Sequence, residues 1–297
     1  MTDMYTTLVF YLAFGAIAGV ASGLFGIGGG AIIVPFLVGL FPGQGVPESI
    51  LMIMAVATSL ATIVVTSVSS LRAHHRRGAV VWPLVWRLVP GIALGTVAGT
   101  IVADHLPTQR FKQSFAVFLM LVAVQVYRGR REEAAGEKPV SLGVLTGGGL
   151  VIGLLSALFG IGGGSLTVPF LLRCRQNIRH AVAISSACGF PIAVVGTLSY
   201  VVLGWDHPSL PAHSLGYIYW PAFLGIGAAS ALTAPYGAAL AHRLPMQGLK
   251  RLFASVLFLL GARMLWKSVD PAWLGALNTG LETAAAAVPG LRSFLEP

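Results

Sequence analysis

Charge is scarce in this chain: Asp, Glu, Lys and Arg make up only 10% of its 297 residues, well below the roughly 25% of a soluble globular protein. Cysteine is nearly absent. Cys174 and Cys188 stand among apolar or basic neighbours with no second Cys or His at metal-ligand spacing, which argues against a disulfide framework and a thiolate metal centre and leaves packing roles. The acidic residues (Asp3, Glu48, Asp104, Glu132, Glu133, Glu137, Asp206, Asp270, Glu282 and Glu296) all fall in loops, tails or segment ends. No carboxylate is therefore placed for a mid-membrane proton relay. Enzyme signatures are missing too, because the glycine runs are not followed by Lys-Ser/Thr as a phosphate loop requires. Neither a metal nor a cofactor is expected.

What fills the chain is apolar. Hydrophobic residues reach 56%, gathered into segments at about 6–41, 48–71, 79–103, 111–127, 141–172, 179–203, 216–241 and 249–267 that approach or exceed the roughly 18 residues needed to span a bilayer. This predicts an all-α polytopic membrane protein. The net charge of +9 does not indicate nucleic acid, since the basic residues sit in short loops where they orient membrane segments. The start, MTDMYTTLVF, lacks a basic n-region, so the first apolar run reads as a retained membrane segment.

The segments form two sets of four. FGIGGGAIIVPFL, Phe25 to Leu37, returns as FGIGGGSLTVPFL, Phe159 to Leu171. AVATS (Ala55 to Ser59) matches AVAIS (Ala181 to Ser185), Trp82-Pro83 matches Trp220-Pro221, and LPTQRFKQSF from Leu106 matches LPMQGLKRLF from Leu244. A duplicated unit thus organises the chain: a first membrane repeat at 1–127, a cytoplasmic linker at 128–139, a second repeat at 140–268 and a tail at 269–297. In that tail Leu274, Leu277, Leu281 and Val288 are spaced for an interfacial helix, with a disordered alanine-rich tail as the alternative.

Charge then orients the halves. Eight simple crossings would put about nine basic residues on one side and eight on the other, against the positive-inside rule. If 6–41 and 141–172 are instead hairpins that turn at their glycines, the loops 72–77, 128–138, 173–179 and 243–251 bring thirteen Arg and Lys inside, against Arg110, Lys112, Lys267 and Arg292 outside. Each half then has an odd number of crossings. The halves become inverted-topology repeats, each a glycine-broken hairpin plus three transmembrane helices, with up to ten helices and both termini extracytoplasmic. Equal hairpin arms of about 16–18 residues would reach roughly 24–27 Å.

The glycines have a job in this arrangement. Gly28, Gly29 and Gly30, and Gly162, Gly163 and Gly164, disfavour continuous helix, and Gly26, Pro35, Gly160 and Pro169 are expected to help break it. The segment restarting after each break presents N–H groups and the positive end of its dipole to an anion. Candidate substrate contacts are therefore these glycine triplets with Ala31, Ser59, Ser165 and Ser185. Close helix packing is the other reading of the glycines, and bonding to their own helix the other reading of the serines. Ser165 replaces Ala31 and Thr167 replaces Ile33 between the repeats, so a site facing them is asymmetric. Arg87 and Arg263, inside apolar segments, are charge contacts or else snorkel to the interface.

The doubled F-G-x-G-G-G-x4-P motif, the two sets of four segments and the repeated LP-x4-K pattern together resemble the sulfite exporter TauE/SafE family of bacterial membrane transporters, over about residues 6–267. The resemblance implies a transporter of the inner membrane, an exporter of small sulfur-containing anions such as sulfite or organosulfonates. The implied partners are that small anion and the lipid bilayer; no nucleic acid is expected, and a homo-oligomer is left open. The rival readings are an importer or ion-coupled transporter of another small oxyanion or carboxylate and, in another class, a membrane-embedded enzyme.

Overall fold

The computed structural model describes residues 4–25, 29–128, 140–241 and 246–268. Ten α-helices dominate: α1 (Met4–Phe25), α2 (Gly30–Leu40), α3 (Leu51–Arg76), α4 (Trp82–His105), α5 (Thr108–Arg128), α6 (Leu142–Phe159), α7 (Gly164–Arg173), α8 (Ile178–Leu203), α9 (Trp220–Ala241) and α10 (Met246–Ser268). Two short 3-10 turns separate α2 from α3, and an antiparallel ribbon of β1 (Ser214–Leu215) and β2 (Ile218–Tyr219) precedes α9. Among the described residues all other regular structure is helical. Gly26, Gly28, linker residues 129–139 and the tail 269–297 lie outside the described residues.

Five helical stretches are long and apolar enough to cross a membrane: Thr6–Leu24, Glu48–Arg76, Trp82–His105, Leu142–Phe159 and Ile178–Leu203. The hairpin arms are unequal, contrary to the expected 16–18 residues each. α1 has 22 residues and α2 has 11, while α6 has 18 and α7 has 10. The return arms thus reach only about 15–17 Å.

Pro35 and Pro169 do not break their helices either; each lies inside one, in α2 and α7. A proline in a helix leaves the carbonyl four residues earlier without its N–H partner. For Pro169 that carbonyl belongs to Ser165, and the side-chain amide of Gln125 on α5 donates to it at 3.2 Å. The helix continues because a neighbour meets the lost bond.

Most packing runs between the halves. α1 lies along α9 and α4 along α6, each pair parallel: Gly15 meets Ile226 and Gly19 meets Ser230, while Gly91 meets Thr146 and Gly99 meets Leu154. Side chains are too small there to keep backbones apart, the contact typical of membrane helices. Ser230 donates to the Gly15 carbonyl at 2.8 Å, and Thr233 to Ala16 at 3.0 Å.

The remaining pairs run antiparallel. On α3 and α8, Leu60 neighbours Gly196 while Ser70 bonds Ser186 at 3.2 Å. On α5 and α10, Gln113 reaches the Ser268 carbonyl at 2.9 Å, Met120 abuts Gly261, and Arg251 lies over the Tyr127 ring. Exchanging α1–α5 for α6–α10 therefore maps these pairings onto themselves. α3 is central, with every residue from Ile50 to Ile63 buried. Outward faces carry large exposed apolar side chains, among them Phe10, Ile17, Leu94, Leu121, Leu259 and Trp266, as a lipid-facing surface requires.

A Cβ at Gly95 would collide with the Leu150 backbone, whereas one at Gly143 would meet nothing within 4 Å. Gly95→Val should therefore force α4 and α6 apart, at a cost of roughly 1–3 kcal/mol or more. Gly143→Ala should leave stability within about 0.5 kcal/mol. Thermal unfolding of the detergent-solubilised variants, followed by monodispersity, measures the contrast.

Candidate substrate site at the glycine turns

Both return helices begin alike. Gly29 caps α2 at φ 75° and Gly163 caps α7 at φ 66°, left-handed conformations that a residue with a Cβ adopts only at a cost. Gly29 then accepts from the N–H groups of Ile32 and Ile33, and Gly163 from those of Leu166 and Thr167. The repeated motif thus builds the same αL-capped start twice.

The turns touch. A Cβ on Gly30 would strike the Gly160 carbonyl. That carbonyl also accepts a hydrogen bond from Ser59 on α3 at 2.9 Å. Gly164, whose N–H would pair with Gly160 in a continuous helix, bonds Gly162 instead at 2.7 Å. Gly30, Gly160 and Ser59 are thereby brought together, and the Ser59 hydroxyl is engaged with protein. Beside Gly29 and Ala31, a cleft that Ser22 and Phe253 also line is too narrow for a water molecule.

The second turn carries the polar chemistry. Ser165 and Thr167, in the first turn of α7, are 7% and 0% exposed, and neither hydroxyl has a hydrogen-bond partner. Their counterparts Ala31 and Ile33 are apolar and equally buried. Ser185, on α8, is also buried and unpartnered. One helical turn further, Gly189 faces the Gly162 carbonyl, so Ser185 shares the helix face that packs on the second turn. An unmet buried hydroxyl is unfavourable by about 1–3 kcal/mol. Thr167 lies beside Gly163 and Ile192 on the side of α7 that packs on α8, whereas Ser165, two positions earlier, leaves the helix on another side. All three are buried hydroxyl donors near one helix N-terminus, where an oxyanion is favoured.

Arg87 and Arg263 are both exposed, as snorkelling side chains would be, and neither contacts the turns. Among the described residues no group of His, Cys, Asp or Glu is arranged to hold a metal.

The sequence alone did not single out Thr58, the varying residue of AVATS. Its hydroxyl accepts from the Tyr219 N–H at 3.1 Å, tying α3 to the ribbon before α9. That ribbon is fixed again by the Tyr217 hydroxyl, which donates to Asp104 at 2.7 Å. Burial first, and then this bond to the carboxylate, hold the Tyr217 phenol well above its usual range. Asp104 is thus engaged at the end of α4.

Comparison with known proteins gives this geometry a family. A probable membrane transporter protein of Haemophilus influenzae is 39% identical over 264 residues, covering 89% of this chain and all of that protein. One of Methanocaldococcus jannaschii is 27% identical over 84% of this chain and 92% of its own length. One of Bacillus subtilis is 25% identical over 89% and 99% respectively. No solved structure matches. The family model described as sulfite exporter TauE/SafE matches residues 11–264, and the chain belongs to that family of membrane transporters.

Proposed function

We propose that this protein exports small sulfur-containing anions, sulfite or organosulfonates among them, across the cytoplasmic membrane, binding them at the N-terminus of α7. The observation that carries this reading is the set of buried, unpartnered hydroxyls of Ser165, Thr167 and Ser185 near that terminus. Hydroxyl donors and a positive helix end select an anion, and α6, α7 and α8 carry no Asp or Glu to oppose that selection. The family's description supports sulfite-like cargo.

Inverted repeats complete the proposal. In an alternating chain of eight crossings, α3 would run parallel to α8, and α5 to α10. Both pairs run antiparallel, which supports hairpins that return to their own side and a second half inverted against the first. Placed by the basic loops, the α3–α4 and α7–α8 connections are cytoplasmic and both termini extracytoplasmic. The Ser59–Gly160 bond and the closed cleft at Gly29 describe a shut state, from which transport requires the two turns to part.

Single cysteines placed at the exposed positions Ile178 and Pro208, in a chain lacking Cys174 and Cys188, check the orientation. The first should label only after the membrane is permeabilised and the second in intact cells; the opposite pattern would overturn the hairpin topology.

Leucine at Gly29 or Gly163 meets a backbone strained by about 1–3 kcal/mol. Either variant should insert in the membrane yet lose at least about tenfold in flux, that being the equivalent of 1.4 kcal/mol. Flux equal to the parent in both inserted variants would reduce the glycines to packing elements.

An interior-negative potential drives a dianion outward by roughly 4.6 kcal/mol per 100 mV, enough for about a thousandfold gradient. Sulfite flux in vesicles under a potassium–valinomycin potential, with pH and sodium gradients at zero, should therefore follow the imposed potential. Flux indifferent to potential but restored by a proton or sodium gradient would establish ion coupling instead.

A further inference from the structure

The end of α3 opposite Ser59 borders a cavity of about 690 Å³. Its described lining follows α3, with Val64, Val65 and Val68 toward the middle of the helix and Ser69, Arg72, Ala73 and Arg76 toward its end. From Arg76 to Val64 is twelve residues, or roughly 18 Å of helix, and Ser59 lies about 8 Å further along. The cavity therefore extends along α3 from the helix end toward the contact between the two glycine turns. Thr62 and Ser69, seven residues apart, fall on one side of the helix. Thr62 is buried, and its hydroxyl donates to the Ser59 carbonyl at 2.7 Å.

Topology alone accounts for basic residues near a membrane surface, but does not require them to line one open groove with a hydroxyl, as Arg72, Arg76 and Ser69 do. Arg72 and Arg76 are exposed, and neither has an ion-pair partner among the described residues. The matching end of the other repeat differs. The positions of α8 that match Ser69, Arg72 and Arg76 at the AVATS/AVAIS offset are Val195, Leu198 and Val202, and Leu198 and Val202 are exposed apolar side chains. Two arginines at one mouth and aliphatic residues at the corresponding place make the two ends of the molecule chemically unequal.

We propose that Arg72 and Arg76, with the Ser69 hydroxyl, form a loading site for small soluble oxyanions such as sulfonates or sulfate-like dianions. Its direction rests on the topology proposed above, which puts this mouth in the cytoplasm. Guanidinium groups one helical turn apart offer charge-assisted hydrogen bonds to one tetrahedral anion. The cationic field of the mouth concentrates anions where the cavity begins. An anionic phospholipid headgroup has the same oxyanion chemistry and is the competing occupant. The apolar stretch of Val64, Val65 and Val68 would suit its chains, whereas the line from Ser69 through Thr62 toward Ser59 favours the soluble anion.

The experiment uses the full chain with Ser69→Cys and with Cys174 and Cys188 replaced by serine, in nanodiscs of phosphatidylcholine only. Modification by an anionic thiosulfonate reagent should outpace that by a cationic one. In R72Q/R76Q that ratio should fall about tenfold, while R72K/R76K retains most of it. Sulfate and methanesulfonate should slow modification more than chloride at equal ionic strength, and only when the positive charges are present. Protection no better than chloride, or equal in R72Q/R76Q, would overturn the site. In discs containing phosphatidylglycerol, modification abolished without added sulfate would assign the cavity to lipid and overturn loading by a soluble anion. Because labelling does not depend on flux, sulfate protection in a chain that transports no anion would uphold this site while rejecting export.

Discussion

Hydrocarbon tolerates no unpaired backbone amide, so a helix that stops inside the membrane must have its free groups met by protein. The Gly160 carbonyl shows how this chain meets that constraint. Its helical partner, the Gly164 N–H, has turned to Gly162, and the hydroxyl of Ser59 takes its place. Gly30 lies so near that no side chain fits between. Each half closes on the other at this point. The Ser165 carbonyl left free by Pro169 follows the same rule, with Gln125 as its donor.

Satisfying a broken backbone from the other half imposes the packing around it. α1 and α6, the long hairpin arms, lie against α9 and α4 through Gly15, Gly19, Gly91, Gly95 and Gly99, where the backbones meet. α3 and α8 cross between them with their small and hydroxyl-bearing residues buried. The repeats are accordingly units of sequence rather than units of stability. Exchanging α1–α5 for α6–α10 preserves these pairings, which is the property that alternating access would use under the proposed function.

Much of this was legible in the sequence because repetition and the length of apolar runs are local features. The helical segments, the paired turns at Gly29 and Gly163 and the correspondence of Ser59 with Ser185 all follow from aligning the chain with itself. The unequal hairpin arms did not, because apolar composition is continuous across Gly26–Gly30 and carries no mark of where each arm reaches the surface. Pro35 and Pro169 misled for a related reason. Proline removes one hydrogen bond, and α2 and α7 both continue through that loss; at α7 the freed carbonyl is met by Gln125, forty positions away in sequence. The role of Ser59 was hidden as well, since its partner Gly160 is 101 residues distant. Nor did the arginines at 72 and 76 differ in sequence from ordinary topogenic charges; only the cavity beside them distinguishes them.

The departures from repetition define what the symmetric frame can do. Ala31 and Ile33 against Ser165 and Thr167 place side-chain donors at one turn only, and these are buried donors without protein partners. Gln125 is matched by Arg263, which is exposed and bonds neither turn, so the amide that sustains α7 has no equivalent at α2. Leu198 and Val202 oppose Arg72 and Arg76 at the far ends of the central helices. Glycines at backbone contacts in the long hairpin arms repeat, as Gly15 with Gly149 and Gly19 with Gly153 do, while Ser165, Thr167, Arg72 and Arg76 carry hydroxyls or charge in one half alone. A frame whose halves exchange has no preferred direction of its own. Under the proposed topology, the membrane potential acting on an anion sets the direction of net flux, and the unequal side chains set the affinity that each side of the membrane meets.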